Sequence, residues 1–530
     1  MSPQKPYDAV VVGGGHNGLV AAVILARRGW SVCVLEASAQ PGGAVRHAEV
    51  AAPGFSTDLF SAFYPLGAVS PVLRSLRLHE HGLRWARAPH VLTHLFPAGG
   101  SARLTMDIAA TAASVDRHHR GDGAAWVALH ERWTAVRDPL VRAFLGPFPP
   151  VRHGLQLARD AGAPELLRLA RMAVTSSAVL ASQEFGGEGA RALIVGNGLH
   201  ADIPPTAPGS AILGLLMTMV GQDVGFPSPA GGSGMLTSSL VRALRASGGE
   251  LRIDTRAREI VVSRGRAVAV VDAKGARYEA ARAVLADVAA PTLYRDLLDP
   301  TLLPPRTAND LDRFTWDHAT VKVNWALDGP IPWTEGEARG AGTVHLGADV
   351  AGMLDYANDL EVGRVPAYPF VLLGQMTTTD PSRSPAGTES VWAYSHLPRG
   401  RGWDTTDVDR QVERIEDLVE QHAPGFRERV RGRFVQRPTD LEAADANLVD
   451  GAVNAGTTNL WQQLVFRPTP GLGRPETFID GLYLAGATAH PGGGVHGSAG
   501  GNAAAAALAR QRWTTKPLAF TAQRTQRALS

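Results

Sequence analysis

The stretch Val10-Val11-Val12-Gly13-Gly14-Gly15-His16-Asn17-Gly18, closed by Glu36, leaves few folds open to this chain. Tyr7 to Val12 is a short apolar run of the kind found in buried parallel strands. Gly13, Gly15 and Gly18 keep the G-x-G-x-x-G spacing. At that spacing the first glycine permits a tight turn, the second lets backbone approach a pyrophosphate, and the third lets a helix pack on the strand. A helix is expected from about Gly18 to Arg28, with Gly29 as its stop and its amino-terminal N–H groups turned towards phosphate. Val32 to Leu35 reads as the second strand, and Glu36 at its end is placed to accept hydrogen bonds from a ribose. Strand, turn, helix, strand and acid all fall within about 30 residues, as a dinucleotide site requires. The motif by itself does not separate FAD from NAD.

The remaining 500 or so residues have to decide that. A chain of 530 residues, 45% hydrophobic and 19% charged, suits two closely joined domains better than one core. The net charge of +2 gives no case for a nucleic-acid partner. Cys33 is the only cysteine, which excludes an intrachain disulfide and a dithiol mechanism. It lies in the second strand and reads as a small core residue. Met1 to Asp8 has no apolar core of signal-peptide type, and no run of about 18 apolar residues occurs. A soluble cytoplasmic protein is the expectation, with peripheral membrane contact left open. No metal ligand is assigned.

Past Glu36 and Ala37, Pro41-Gly42-Gly43-Ala44-Val45-Arg46 carries two adjacent glycines where backbone can pass close to a cofactor; Arg46 faces either a phosphate or solvent. From about 70 to 225 the strand-turn-strand character fades. Trp126–Phe144 and Pro164–Leu180 read as helices, broken by Gly146-Pro147-Phe148-Pro149-Pro150. Ala211–Val220 is the most apolar stretch and reads as a core helix, with the wall of a greasy tunnel or a helix dipping into a membrane surface as alternatives. Leu236, Leu240, Val241 and Leu244 mark one helix face. Leu251–Asp254, Ala257–Ser263, Arg266–Asp272 and Arg282–Ala286 are expected strands, with turns at Arg264-Gly265 and Lys274-Gly275. Val321, Val323, Trp325 and Leu327 alternate with Lys322, Asn324 and Ala326, a half-buried strand with Thr343–Gly347, Phe370–Met376 and Ser390–His396 as its neighbours in an antiparallel sheet. Asp407–Gln421 is a helix. Near the end, Gly481–Thr488 is a strand running into a glycine cluster, His490-Pro491-Gly492-Gly493-Gly494-Val495-His496-Gly497-Ser498-Ala499-Gly500-Gly501-Asn502. The helix Ala503–Ala509 follows. Glycines before a helix set bare N–H groups against a ligand.

These motifs carry a resemblance. Gly13–Gly18 to Glu36, Gly42-Gly43, the block Leu236–Asp287 and Gly481–Gly497 resemble the phytoene (carotenoid) desaturase superfamily of FAD-dependent oxidoreductases. Within it the chain is most similar to the branch called pyridine nucleotide-disulfide oxidoreductase domain-containing proteins. Ala326-Leu327-Asp328, Asp380-Pro381-Ser382-Arg383 and Gln463–Pro468 are similar to that branch as well, although the single cysteine does not fit its name. The resemblance covers nearly the whole chain, and the two cofactor motifs are its specific part.

The resemblance implies an α/β fold. It would join a Rossmann-like FAD-binding domain of glutathione-reductase/amine-oxidase type to an α+β substrate domain with an antiparallel sheet and helices. The FAD domain would be assembled from residues 1–70, 225–300 and 440–515, and the substrate domain from 71–224 and 301–439. Residues 516–530 would be a tail. The residues expected to hold FAD are Gly13, Gly15, His16, Asn17, Gly18, Glu36, Ala37, Gly42, Gly43, Arg46, Ile260, Gly486, Ala487, Gly494, Val495 and His496. Backbone near Ile260 would meet adenine; Gly486, Ala487 and Val495 would lie along the ribityl chain and flavin. Ala487 stands where many flavoproteins carry an acid.

The implied chemistry is hydride removal from a C–H bond of an apolar small-molecule substrate to the flavin, with a proton lost nearby. The expected pocket wall is Ala211–Val220 with Phe60, Phe63 and Tyr64. His490 and His496, flanking the glycine loop, are the candidate proton acceptors, with His200 and His345 behind them. The electron acceptor is left open between oxygen and a quinone. Three rivals remain: an amine-oxidase-like flavoenzyme, a redox-neutral polyene isomerase and a flavin-binding regulatory protein without turnover.

Overall fold

The computed structural model describes residues 5–400, 402–403, 405–511 and 516–530. Two seven-stranded sheets organise it. In the first, Tyr7–Val12 lies between Val32–Leu35 and Arg277–Ala286, parallel to both. Glu250–Arg252 extends the sheet beyond Val32–Leu35, and Leu482–Leu484 pairs in parallel with Arg277–Ala286. The parallel strands are buried on both faces, which is why Val10-Val11-Val12 and Val32-Cys33-Val34-Leu35 are continuous apolar runs. Cys33 is fully buried among them.

Arg277–Ala286 serves two layers. Its start pairs antiparallel with Arg266–Asp272, which forms a hairpin with Ala257–Ser263 as the turn residues required. Its end pairs Ala286 with Val12 on one side and Leu484 on the other. The next residue, Asp287, therefore emerges beside Gly13 at the carboxyl edge of the parallel strands, where open α/β sheets hold their ligands.

The expected first helix is His16–Ala26, two residues earlier at each end than its sequence pattern suggested. It packs against Ser498–Gln511, which begins five residues before the expected Ala503. The early start corrects the reading of the last glycines. A Cβ on Gly500 would stand 1.9 Å from the Asn17 carbonyl oxygen. That glycine lets two helices touch and offers nothing to a ligand.

The second sheet runs Val430–Gln436, Ala319–Leu327, Glu389–Leu397, Val371–Gln375, Ala341–Leu346, His90–Leu95, Ser101–Leu104. The sheet is antiparallel except where Ala341–Leu346 meets His90–Leu95 in parallel, and the last two strands come from the region that lacked strand character in the sequence. Ala319–Leu327 is buried at every residue and not half-buried. Its polar face, Thr320 and Lys322, turns to a cavity; alternation looks the same whether the polar side meets solvent or an internal site.

Helices cover the cavity. Asp122–Leu145 and Val151–Met172 flank the Gly146–Pro150 break. The helix read over Pro164–Leu180 is in fact two, because the chain breaks after Met172 and Ser176 caps Ser177–Glu184 by accepting the Val179 N–H. Ser210–Val224 contains the apolar stretch. Among the described residues no helix is long and apolar enough to cross a membrane. Residues 516–530 hold a helix, Lys516–Leu529, in which Gln523 and Arg527 donate to the Ile479 and Phe478 carbonyls.

Candidate active site

One cavity of about 620 Å³ runs from the glycine turn to the second sheet. Of the residues expected at the cofactor, Gly13, Gly15, His16, Asn17, Glu36, Ala37, Gly43, Arg46, Gly486, Ala487, Gly494 and Val495 line it. Four do not. Gly18 packs inward, where a Cβ would stand 2.3 Å from the Gly13 carbonyl oxygen. Gly42 is turned to Thr237 and Val45. Ile260 is buried in its hairpin with its N–H on the Leu297 carbonyl; Arg256 and Ala257, at the start of that strand, reach the cavity instead. His496 has both ring nitrogens engaged. Nδ1 accepts from the Ser498 N–H at 3.0 Å, and Nε2 donates to the Gly493 carbonyl at 3.2 Å. This removes His496 as a proton acceptor.

Glu36 is built as a ribose acceptor would be. Its two oxygens take the Gly14 and Ser38 N–H groups at 2.8 and 2.7 Å, which fixes the carboxylate and leaves further lone pairs facing the cavity. Arg46 donates to the Gly43 and Ala444 carbonyls and stacks 5.2 Å over Phe60. It fastens the Gly42-Gly43 turn to residues 441–448, a cavity wall absent from the sequence reading. Fully buried Arg467 does the same for the other loop, donating to the carbonyls of Asn454, Ala455, Thr457 and Ala487.

Asp287 was not foreseen as a site residue, although an acid at the carboxyl end of a parallel strand was a readable signal. Its Oδ2 accepts the Gly18 N–H at 2.7 Å, and a Cβ on Gly15 would stand 2.6 Å from that oxygen. Burial pushes its carboxyl up to about 8; the Gly18 hydrogen bond opposes this, and Asp445 and Glu36 reinforce it. Asp287 is thus kept neutral next to the turn that would meet a pyrophosphate, and ionises as pH rises past about 8. FAD affinity is expected to fall there by roughly tenfold, one pKa unit's worth of interaction. Asp287→Asn keeps the acceptor for Gly18 and removes the charge, so its affinity should stay flat. FAD titrations of both proteins from pH 6 to 9.5 check this, and parallel curves would refute it.

At the other end, Ile212, Leu213, Leu216 and Met217 of Ser210–Val224 form an apolar wall with Phe63 and Leu66. Phe60 and Tyr64 line the cavity too. Opposite stands the polar face of the second sheet, where Thr320 pairs with His396, and Lys322 with Tyr394. Lys322 is buried, donates to the Asp58 and Phe60 carbonyls, and sits 5.6 Å over Trp392. Burial pushes its amine down to about 7, opposed by Asp58 and aided by Arg383. His490 lines the cavity and donates Nε2–H to the Gly146 carbonyl, leaving Nδ1 without a partner among the described residues. Burial lowers it to about 4. His200 is at the cavity; His345 lies outside its lining.

Residues 18–509 match the family described as flavin containing amine oxidoreductase. The chain belongs to that family. Its cofactor is FAD, and it is an FAD-dependent oxidoreductase. Among its relatives, pyridine nucleotide-disulfide oxidoreductase domain-containing protein 2 of Rattus norvegicus is 29% identical, over 94% of this chain and 93% of that one. The neurosporene-forming phytoene desaturase of Rhodobacter capsulatus is 24% identical, over 92% and 91%. The desaturase superfamily and branch suggested by the motifs are therefore the right ones. An oxidoreductase from Methanosarcina mazei shares the fold with a TM-score of 0.63 at 15% identity, covering 94% of this chain and 99% of that one. The residues present suit the family's cofactor. His16 Nε2 and Asn17 Oδ1 are buried beside the glycine turn of this flavin oxidoreductase with no partner among the described residues, and buried polar atoms of that kind call for a ligand.

Proposed function

We propose that the protein is a dehydrogenase that removes hydride from a C–H bond of an apolar, isoprenoid- or polyene-like substrate. The observation that carries this reading is the distribution of acidic side chains in the cavity. The three that line it, Glu36, Asp287 and Asp445, all lie at the two cofactor glycine turns: Glu36 on Gly14, Asp287 on Gly18, Asp445 against Gly43. Among the described residues, none lines the end walled by Ser210–Val224. An ammonium substrate entering there would be desolvated with no anion to meet it, and would share the space with Lys322. This speaks against amine oxidation within the family.

FAD, when bound, supplies the hydride acceptor. Gly13, Gly15, His16, Asn17, Glu36 and Arg46 would hold its nucleotide half, and Gly486, Ala487, Gly494 and Val495 its other half. Lys322, rather than His490, takes the proton: an amine near 7 is a stronger base than an imidazole near 4. The apolar wall excludes water from the reacting carbon.

The test is anaerobic mixing of the FAD-loaded protein with phytoene or squalene in detergent, and separately with putrescine. Bleaching of the flavin by an isoprenoid and not by the amine is the expected result. Bleaching by the amine alone, with peroxide formed in air, would overturn it, as would an isomerised polyene recovered with the flavin unbleached.

A further inference from the structure

We propose that His200 and Tyr394 clamp one neutral oxygen, a hydroxyl or carbonyl, on an otherwise apolar substrate. This rests on the dehydrogenase reading and narrows its substrate class from plain hydrocarbons to oxygenated ones.

His200 ends the helix Glu188–His200, and Tyr394 sits on Glu389–Leu397; both line the cavity. Their rings are 6.5 Å apart between centroids, and Tyr394 is 5.5 Å from His396. Neither side chain makes a hydrogen bond among the described residues. His200 Nδ1 is a buried atom without a partner, and the ring behind it, His345 at 6.0 Å, has neither nitrogen bonded. Only His396 is partly engaged, by Thr320 Oγ1 at 3.3 Å. A pocket for a pure hydrocarbon would have no use for an imidazole and a phenol left open against its apolar wall, because unpaired buried polar groups cost stability.

The chemistry of the clamp selects the ligand. A neutral imidazole offers one N–H and one lone pair, and a phenol one O–H and an acceptor. Together they satisfy a hydroxyl, which donates and accepts, or a carbonyl, which accepts twice. Burial lowers His200 to about 4 and His396 to about 3, so neither supplies positive charge near neutrality. Lys322, the nearby amine, is committed to two main-chain carbonyls and half neutral at pH 7. An ionised carboxylate would therefore be poorly matched, and an ammonium worse. Tyr394 is opposite Lys322 in the strand register, which sets the clamped oxygen close to the proton acceptor.

The experiment compares matched ligands on the FAD-loaded protein, with binding followed by perturbation of flavin absorbance. Geranylgeraniol should bind at least about tenfold more tightly than the hydrocarbon lacking only its hydroxyl, since a site built around a hydroxyl rejects the analogue without it. Tyr394→Phe removes one oxygen and His200→Phe removes both nitrogens. Each should bring the ratio towards one while FAD content stays in place. Equal affinities in the wild type, or a preference that survives both variants, would overturn the clamp. If neither isoprenoid binds, the isoprenoid reading is what has failed. The pair 1-decanol and decane then decides the clamp by the same ratio, and decanol binding no better than decane, or not at all, overturns it.

Discussion

Lys322→Met is expected to slow anaerobic reduction of the bound flavin by about 10²- to 10⁴-fold, the range ascribed to a positioned proton-transfer group. Methionine keeps the length and apolar stem of the side chain, so the cavity keeps its shape while the amine is lost. The pH profile separates chemistry from packing. The lysine is neutral above about 7 and charged below. The wild-type rate should therefore rise with pH through that value and level off, while the methionine variant stays low and flat. Stability should follow the same group. The native amine titrates near 7 and the unfolded one near 10.5, so between these values the unfolded chain binds more protons and wild-type stability rises with pH. The variant should lose that part of the slope. Stopped-flow absorbance and melting temperatures from pH 6 to 10 read both effects. A variant that reduces flavin at the wild-type rate would remove Lys322 from the mechanism.

Arg383→Met should destabilise the protein by about 3–5 kcal/mol, as for removal of one partner from a buried ion pair. Arg383 and Asp58 are both fully buried, with Nη2 and Oδ2 2.8 Å apart. Arg383 also donates to the Ser56 carbonyl, and Asp58 Oδ1 accepts the Ser233 N–H. Without the guanidinium the Asp58 carboxylate is left in the interior with one hydrogen bond and, in place of its ion-pair partner, only the partly charged Lys322 amine nearby. The double variant Asp58→Asn/Arg383→Met should recover much of the loss, because the penalty belongs to the orphaned charge. A second readout ties this pair to the site. Asp58 holds the Lys322 amine up and Arg383 holds it down, so the single variant should move the pH midpoint of flavin reduction upwards. Melting curves and the pH profile of the variants test this; a single variant as stable as wild type would refute it.

The site was legible where a function uses backbone. Gly13, Gly15, Gly43, Gly486 and Gly494 all line the cavity, and glycines that serve such turns leave a spacing in the sequence. The same rule misled at Gly500, whose bareness serves a neighbouring helix, and at Ile260, displaced from the cavity by its hairpin register. His496 illustrates a different limit. Its place in the glycine loop suggested chemistry, yet the loop's own N–H and carbonyl groups consume both nitrogens.

Local pattern along the chain was enough for the strand–turn–helix unit, the acid Glu36 that ends the second strand, the hairpin after Asp254 and the family, because each is written in residues close together. What stands opposite the cofactor motifs depends on contacts between residues far apart in the chain. Asp287 is at Gly13 because Ala286 pairs with Val12 across some 270 positions. Lys322, Tyr394 and His396 share a cavity because two antiparallel strands fix their register, and the buried Arg383 reaches Asp58 across more than 300 residues. A polar side chain on an alternating strand reads as solvent-facing until the fold supplies the wall in front of it. That wall is the helix Ser210–Val224: its apolar stretch Ala211–Val220 is legible along the chain, but long-range packing alone sets it in front of Lys322 and Tyr394.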